Sequence, residues 1–394
     1  MIAGTFLLIA ISLILYKLDA RLLQDWDEGT YANIAGAMAK SGDYWHLTLY
    51  GKPWYEKEPL PFWLIASSIK IFGFNVWALR FPLAALSVFI FPLFYVLSRR
   101  FLRRTEAILS TTLLVVSPVV WHNHFLRTAD FDMSAVVLIL GALVIYLYKR
   151  EQAWWLSGIL LAGLCLVRGV WGFLFLGMIV ILELCQTPKW PWKKFFGLIL
   201  ITTGPWLLWH WWSFSAGGSD YVQVYWQKQF FFRITDPLQG HAGRVDFYWN
   251  FLRILLGRPF LWLLIVAILL AIVRYIKKRS ADNLFLPLWL LISLLPPHLI
   301  STKVNWYIAS ALPAMYLAFG GWLAVVKDIL WFSTFKYKAV VWGLLLALLS
   351  LATVNFTRTS LVKVANYDNE KLSDKNPEWS AAIWYRTYDD TVKP

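Results

Sequence analysis

The residues with the clearest potential for chemistry lie in one stretch near the N-terminus, positions 25–61. This stretch holds six of the 23 acidic residues of the chain: Asp25, Asp27, Glu28, Asp43, Glu56 and Glu58. Long apolar runs flank it on both sides. Acids gathered beside apolar runs need a cation or a substrate to offset their charge. The stretch is therefore predicted to be a binding or catalytic loop.

Two groups stand out within this loop. Asp27 and Tyr31 lie at i and i+4, so on a helix they share one face and could address one ligand. A carboxylate there could act as a general base, or it could simply cap the helix. The run Tyr55-Glu56-Lys57-Glu58 could bind a divalent metal, clamp a phosphate through its lysine, or pair its own charges.

Further candidates lie at the ends of later apolar runs, and each of them alone is ambiguous. They are His122, His124, Arg127, Asp130 and Asp132 in one cluster, Arg168 between two runs, and Lys303 with Tyr307 at i and i+4. The His-x-His pattern is typical of metal sites but lacks a fixed third ligand. Taken together, the acids and the basic residues suit one outer vestibule for an anionic, lipid-linked ligand.

The composition is typical of a membrane protein. The chain of 394 residues is 59% hydrophobic and only 15% charged, which argues against several soluble domains. The formal net charge of +14 comes mostly from short loops between apolar runs, which indicates membrane topology rather than nucleic-acid binding. Cys165 and Cys185 lie inside apolar runs without metal-ligand spacing, and we expect them to be packing residues.

The hydropathy pattern predicts an all-α polytopic membrane protein with about eleven spans. They are 2–17, 76–98, 105–122, 131–148, 152–167, 169–186, 195–212, 259–276, 283–300, 306–326 and 339–356. The first run lacks the basic start and the cleavage site of a signal peptide, so we interpret it as an uncleaved span. Two interfacial amphipathic helices are expected before the second span, one through Tyr31–Met38 and one over Leu60–Phe72. The second could instead be an extra span.

The basic loops predict the orientation. Every even-numbered loop is rich in Lys and Arg, which places these loops and the N-terminus in the cytoplasm. The outer face then carries the loops 18–75 and 213–257. We expect a transmembrane domain over 1–356, followed by a short non-cytoplasmic segment over 357–394.

Several ordered motifs resemble one family. The pattern D-E-x-x-Y, then S-G-D, then G-x-P followed by two aromatics and E-K-x-P-L, resembles the bacterial aminoarabinose transferase and protein O-mannosyltransferase superfamily. The runs RTADFDM, LVRGVWG and STKVNWYIASALP extend the resemblance over most of residues 20–320. These enzymes are polyprenyl-phosphate-dependent glycosyltransferases with the membrane fold called GT-C, so the resemblance implies that fold here.

The resemblance also implies a role for each matching residue. Asp27, Glu28 and Asp132 would be the catalytic acids. The substrate-binding residues would be Tyr31, Trp54, Tyr55, Lys57, Arg127, Arg168, Lys303 and Tyr307. Glu56 and His241 would hold a divalent metal such as Mg, Mn or Zn, or orient the donor.

The chain departs from the family pattern at several of these positions. Trp54 stands where the family commonly has Tyr, Glu58 where it has Pro, and Thr30 where the aminoarabinose enzymes have Arg. Arg168 replaces a Lys, and a guanidinium binds phosphate as a fork rather than as a point charge. These differences leave the expected reaction class unchanged and leave the sugar and the acceptor open.

We therefore expect an integral-membrane glycosyltransferase in the bacterial inner membrane, with its active site on the periplasmic face. It would move one sugar from a polyprenyl-phosphate donor to a lipid A-like lipid, a glycan or a protein. We expect it to be a monomer and to bind no nucleic acid. A lipid-linked glycan ligase or polymerase is the alternative within the enzyme class. A lipid-linked sugar transporter or flippase would show internal repeats and broken midplane helices, and a scaffold would not need acids at the membrane edge.

Overall fold

The computed structural model describes residues 1–20, 23, 25–122, 124–149, 151–186 and 192–332, and these residues are mostly helical. The α-helices are α1 (Ile2–Leu15), α2 (Asp25–Ser41), α3 (Leu60–Phe72), α4 (Val76–Ser87), α5 (Ile90–Ser98), α6 (Arg104–Val115), α7 (Asp132–Lys149), α8 (Trp154–Leu184), α9 (Trp192–Tyr221), α10 (Arg233–Thr235), α11 (Phe247–Leu256), α12 (Arg258–Lys277), α13 (Ala281–Leu299) and α14 (Leu312–Phe332). A π-helix covers Val222–Phe232, and 3₁₀ helices cover Leu238–Gly240 and Asn305–Ala311. The strands β1 (Thr48–Leu49) and β2 (Lys52–Pro53) form one short antiparallel hairpin. The predicted all-α class is confirmed.

Five helical segments among the described residues are long and apolar enough to cross a membrane: Val76–Ser98, Asp132–Lys149, Trp154–Leu184, Arg258–Lys277 and Asn305–Asp328. Ile2–Leu15 and Leu60–Phe72 are shorter apolar helices. The chain is therefore a multi-pass membrane protein. The predicted span 105–122 is wrong beyond Val115, where its helix ends. The eleventh predicted span, 339–356, and the segment 357–394 lie outside the described residues.

Helix α8 contains a reversal that matches the two spans predicted for it. Arg168 has the non-helical angles φ −152° and ψ 80°. A Cβ added to Gly172 would lie 2.2 Å from Cys165 Sγ, whereas seven residues of a straight helix span about 10 Å. The two arms must therefore run antiparallel. At their far end, Glu183 accepts a hydrogen bond of 3.2 Å from Lys194 at the start of α9.

Helix α9 reverses in the same way beyond its predicted span. Gly218 has φ 51° and ψ −124°, a left-handed conformation that favours glycine. Beyond it, the π-helix folds back along α9, so that the rings of Trp206 and Trp226 lie 6.1 Å apart and perpendicular to each other. The start of the predicted outer loop 213–257 is thus a helical fold-back, and it returns the chain towards the first loop.

The first loop is anchored by its own helix. Tyr31, Ile34, Ala35 and Met38 are all buried, which confirms the helical spacing predicted for α2. Tyr31 stacks on Phe131 with ring centroids 4.4 Å apart, so the residue before α7 packs against α2. This packing brings the acids of the first loop beside the N-terminal end of α7.

Candidate functional site

Asp27 lies in the first turn of α2 with its side chain 28% exposed. One carboxylate oxygen is 3.6 Å from Lys57 Nζ, and the other is 3.9 Å from His124 Nδ1. Burial by itself would raise the pKa of Asp27, but the charges of Lys57, His124 and Arg168 and a hydrogen bond from Tyr31 together hold the pKa below its usual value. Asp27 is therefore an anion at neutral pH, as a general base requires.

Lys57 connects Asp27 to the aromatic packing around it. Its ammonium donates a hydrogen bond to the Tyr31 hydroxyl and lies 4.6 Å from the centre of the Tyr31 ring. Burial lowers the pKa of Lys57, while the charge of Asp27 opposes that shift. Burial, together with the nearby Asp27 charge, raises the pKa of the Tyr31 hydroxyl well above its usual value, so it stays protonated. The predicted proximity of Asp27 and Tyr31 is present, and Lys57 contacts both residues.

His124 and Asp130 complete a group of three around Asp27. His124 Nδ1 is 3.2 Å from an Asp130 carboxylate oxygen, although the contact lacks hydrogen-bond geometry. Burial tends to lower the pKa of His124, but its contact with Asp130 and the charges of Asp130 and Asp27 raise it overall. Among the described residues this is the group whose ligand atoms, one nitrogen and two carboxylate oxygens, all lie within 4.8 Å of one another. Such a set fits a divalent cation of the Zn²⁺ or Mn²⁺ type.

Asp132 and Arg168 form a second ion pair beside this group. Arg168 Nη2 donates to Asp132 across 2.8 Å, and both side chains are largely buried. Asp132 is the first residue of α7, and Arg168 stands at the reversal of α8. The centre of the Phe131 ring lies 5.4 Å from Lys57 Nζ and 5.9 Å from the Arg168 guanidinium carbon, so one aromatic ring lies near a cation of each ion pair.

A cavity of about 300 Å³ opens next to these residues. Its polar lining consists of Glu56, Lys57, Glu58, Arg168, Tyr225, Gln229, Arg233 and Tyr307. Its apolar lining includes Val170, Trp171, Leu174, Phe230, Ile234 and Ile300. Three cations thus meet one apolar wall, which is the arrangement expected for an anionic head group attached to a hydrocarbon chain.

Arg233 is a cavity cation that was not among the predicted site residues. It donates to the Tyr307 hydroxyl across 2.6 Å and to Gln229 across 2.9 and 2.5 Å. It directly follows the π-helix that folds back at Gly218. In the sequence, the only indication of a role for Arg233 is its position as a charged residue in the run FFFRITDP.

Glu58 lies deep in the same cavity with 8% of its surface exposed. Its Oε1 accepts hydrogen bonds from the Gly169 N–H at 2.9 Å and from the Tyr225 hydroxyl at 2.7 Å. Burial raises the pKa of Glu58, although these two donors oppose the shift.

Glu28, predicted to be catalytic, is placed differently from Asp27. Its carboxylate receives two hydrogen bonds from Arg80, at 2.8 and 2.7 Å, and a third from the Ala129 N–H at 2.8 Å. The side chains of Glu28 and Arg80 are 1% and 2% exposed. A carboxylate with both oxygens bound inside the protein does not reach a ligand, so this placement supports a structural role.

Two predicted substrate-binding cations cap helix ends instead. Arg127 donates to the carbonyls of Tyr16 and Lys17, at 2.7 and 3.0 Å, just beyond the C-terminus of α1. Lys303 donates to the carbonyls of Pro297, His298 and Ile300 around the C-terminus of α13. The last four carbonyls of a helix lack partners within it, and cations there are stabilising. Neither residue lines the cavity.

Of the remaining predicted residues, some line the cavity and others do not. Glu56 and Tyr307 line the cavity. Trp54 is buried and packs edge-on against Phe62, and Tyr55 packs against Tyr221; neither lines the cavity. His241 is exposed, and its backbone carbonyl accepts a hydrogen bond of 2.8 Å from the backbone N–H of Lys303. Among the described residues, the metal-type group therefore contains neither Glu56 nor His241.

Comparison with known proteins places this geometry in context. Residues 52–209 match the family model described as dolichyl-phosphate-mannose-protein mannosyltransferase. An uncharacterized protein of Aquifex aeolicus is 28% identical over 79% of this chain and 62% of its own length. The undecaprenyl phosphate-alpha-4-amino-4-deoxy-L-arabinose arabinosyl transferase of Pseudomonas aeruginosa is 26% identical over 75% of this chain and 54% of its own length. The chain thus spans little more than half the length of these curated relatives.

Solved structures share the fold. ArnT from Cupriavidus metallidurans bound to undecaprenyl phosphate aligns with a TM-score of 0.66 at 18% identity, over 82% of this chain and 60% of that one. The archaeal oligosaccharyltransferase AglB from Archaeoglobus fulgidus, in complex with an inhibitory peptide and a dolichol-phosphate, aligns with a TM-score of 0.62 at 16% identity. That alignment covers 100% of this chain and 58% of AglB. These alignments show that the chain has the GT-C membrane fold.

The GT-C fold that the sequence resemblance implied is therefore confirmed, and the individual residue roles stay predictions. His124 and Asp130 were recognised as a weak cluster, but their convergence on Asp27 depends on the loop before α7. In that loop His124 and Arg127 both have left-handed backbone angles, φ 67° and 68°. Glu58 was noted in the charged run at positions 55–58 and as a departure from the family pattern, but nothing in the sequence indicated its contact with Gly169.

Proposed function

We propose that this GT-C protein transfers a single sugar from a polyprenyl-phosphate donor to an acceptor at the periplasmic face of the bacterial inner membrane. The observation that carries the proposal is the convergence of Lys57, Arg168 and Arg233 on one cavity beside Asp27. The relatives' names support the donor class: one is an undecaprenyl phosphate arabinosyl transferase, and ArnT was solved with undecaprenyl phosphate bound.

The donor phosphate would lie among the three cations, with the Tyr307 hydroxyl beside Arg233. The first carbons of the lipid would run along Val170 and Phe230. When the sugar leaves, negative charge develops on this phosphate, and preorganised cations in a poorly hydrated cavity stabilise it strongly. The sugar passes through an oxocarbenium-like state, as in glycoside hydrolysis.

The acceptor would approach from the side of Asp27. A hydroxyl acceptor must lose its proton, and the ionised Asp27 carboxylate is placed to receive it as general base. A phosphate acceptor, such as that of a lipid A-like lipid, carries no such proton, and Asp27 then only orients it. Asp132, paired with Arg168, fixes the guanidinium that faces the donor.

The group Asp27, His124 and Asp130 would hold a divalent cation if one is used. A cation there supplies positive charge close to the acceptor and the donor phosphate. The one nitrogen and two oxygens within 4.8 Å of one another fit such an ion, whereas the predicted pair of Glu56 and His241 does not form such a group among the described residues.

We further propose the topology read from the basic loops: a cytoplasmic N-terminus, outer loops 18–75 and 213–257, and a transmembrane domain over 1–356 followed by the non-cytoplasmic segment 357–394. A lipid A-like lipid, a glycan and a protein remain the candidate acceptors.

Purified protein incubated with a polyprenyl-phosphate sugar carrying a radiolabel tests the function directly. Covalent transfer of label to envelope lipid, glycan or protein is expected from the wild type and not from Asp27→Asn. A transporter would move the labelled lipid between leaflets of a vesicle without forming a new product. Label retained entirely on the polyprenyl phosphate with every acceptor fraction would reject the proposal.

A further inference from the structure

Glu58 touches the segments that carry the cavity's three cations. It directly follows Lys57 in the chain. Its Oε1 accepts the N–H of Gly169, the residue after Arg168, and the hydroxyl of Tyr225, which lies on the π-helix that ends before Arg233. One buried carboxylate oxygen therefore joins three parts of the chain that are far apart in sequence.

The contact with Gly169 meets a need created by the reversal of α8. The second arm begins at Gly169, and the first N–H groups of a helix have no partner within it. A carboxylate at that end satisfies one such donor and interacts favourably with the helix dipole. The close approach requires a glycine, because an added Cβ would lie 2.9 Å from Glu58 Oε1 and 2.8 Å from Trp206 Nε1.

The contact with Tyr225 fixes the returning outer segment. Tyr225 lies on the same π-helix as Gln229, which hydrogen-bonds to Arg233, and Arg233 in turn donates to Tyr307. Tyr225 thus links Glu58 to the element that brings Arg233 into the cavity. Without this link, the segment after Gly218 would lose a buried hydrogen bond to the first loop.

We propose that Glu58 is a positioning residue that holds Lys57, Arg168 and Arg233 in one geometry for the donor phosphate. This inference rests on the proposed function for the identity of the ligand. It assigns Glu58 its effect through the two hydrogen bonds that it accepts. Its charge is not required, so a glutamine, whose amide oxygen also accepts hydrogen bonds, is expected to replace it.

Binding of undecaprenyl phosphate to purified protein in detergent tests the inference. Glu58→Ala is expected to weaken binding about tenfold and Tyr225→Phe about threefold, since each removes buried hydrogen bonds. Glu58→Gln is expected to stay within about threefold of the wild type. Because the two residues share one interaction, the double variant should bind no more weakly than Glu58→Ala alone.

A matched control separates positioning from a general loss of stability. Glu106 is also a buried acid, and it pairs with Lys327 at 2.8 Å on a part of α14 remote from Tyr307. Glu106→Gln should lower thermal stability without changing the affinity for undecaprenyl phosphate. If Glu58→Gln bound as weakly as Glu58→Ala, hydrogen-bond acceptance would not account for the effect of Glu58, and the positioning role would be wrong.

Amide hydrogen exchange of the ligand-free protein gives a readout that does not depend on the proposed function. Glu58→Ala should speed exchange at Gly169 and across Val222–Phe232, whereas Glu58→Gln should leave both protected. Unchanged protection in Glu58→Ala would overturn the inference even if the wild type binds the lipid. A wild type that does not bind the lipid, with exchange altered as expected, would reject the donor assignment and retain the positioning role.

Discussion

Asp27 and Glu28 are neighbouring acids in the same helical turn. The structure predicts that replacing each carboxylate with its amide will affect mainly activity at Asp27 and mainly stability at Glu28. Asp27 is part-exposed and faces Lys57 and His124, whereas Glu28 is buried with Arg80. We expect Asp27→Asn to abolish transfer while the protein remains folded. We expect Glu28→Gln to leave the turnover of folded protein close to that of the wild type while it lowers stability.

The magnitude follows from the Glu28 contacts. Its carboxylate receives two hydrogen bonds from Arg80 and one from Ala129 N–H, and Arg80 also donates to the Leu18 carbonyl at 3.0 Å. Removing one partner of a buried ion pair costs about 3–5 kcal/mol, because the other charge is left without its counter-ion. Glutamine keeps one acceptor oxygen, so we expect the lower end, about 3 kcal/mol.

Thermal denaturation in detergent, combined with turnover per folded molecule, measures both effects. Glu28→Gln should unfold at a clearly lower temperature than Asp27→Asn, and lowering the assay temperature should recover its activity. Arg80→Met should share the loss of stability, because it breaks the same pair from the other side. A Glu28→Gln protein that unfolds like the wild type but does not transfer sugar would refute the structural role and restore the catalytic one.

Three other predictions concern the cations and the histidine. Arg233→Ala should raise the donor KM about tenfold or more with a smaller change in kcat, since a charge-assisted hydrogen bond to phosphate is lost; an unchanged donor KM would place the phosphate elsewhere. Lys303→Met should reduce stability by about 1–2 kcal/mol without changing the donor KM, because it uncaps α13; a raised KM would return Lys303 to the binding site. The pKa of His124 is raised in the folded protein by its contacts with Asp130 and Asp27. These contacts therefore stabilise the folded protein fully below about pH 6, and their contribution is lost as pH rises through the folded-state pKa of His124. In metal-free buffer His124→Ala should remove that loss of stability with rising pH, and an identical pH profile would contradict the pairing.

The part of this protein that could be read from its sequence is governed by local patterns. Helix α2 follows from the spacing of Tyr31, Ile34 and Met38, and their burial confirms it. The paired spans around Arg168 followed from two apolar runs separated by one charge, and the reversal there agrees. A shared site for acids and cations was predicted from the dense set of charges between apolar segments, and the 3.6 Å contact of Asp27 with Lys57 agrees with it.

The part that could not be read depends on partners far away in the chain. Arg80 sits inside a predicted span, and its pairing with Glu28 across 52 positions has no local signature. Lys303 was assigned to substrate because it lies at the outer edge, but a buried helix end beside it accepts all its protons. Arg233 enters the cavity only because the chain folds back at Gly218, and a Gly-Gly pair predicts a turn without its direction.

The reversals at Arg168 and Gly218 have a consequence for the membrane insertion and folding of this protein. The three cations that we propose to bind the donor phosphate come from a loop, a hairpin tip and a returning helix, so none of these three parts would form a lipid-binding unit alone. Retention on an immobilised polyprenyl phosphate would therefore select chains whose membrane insertion is already finished. Because binding only to the native form shifts the folding equilibrium, the lipid would also protect those chains from unfolding.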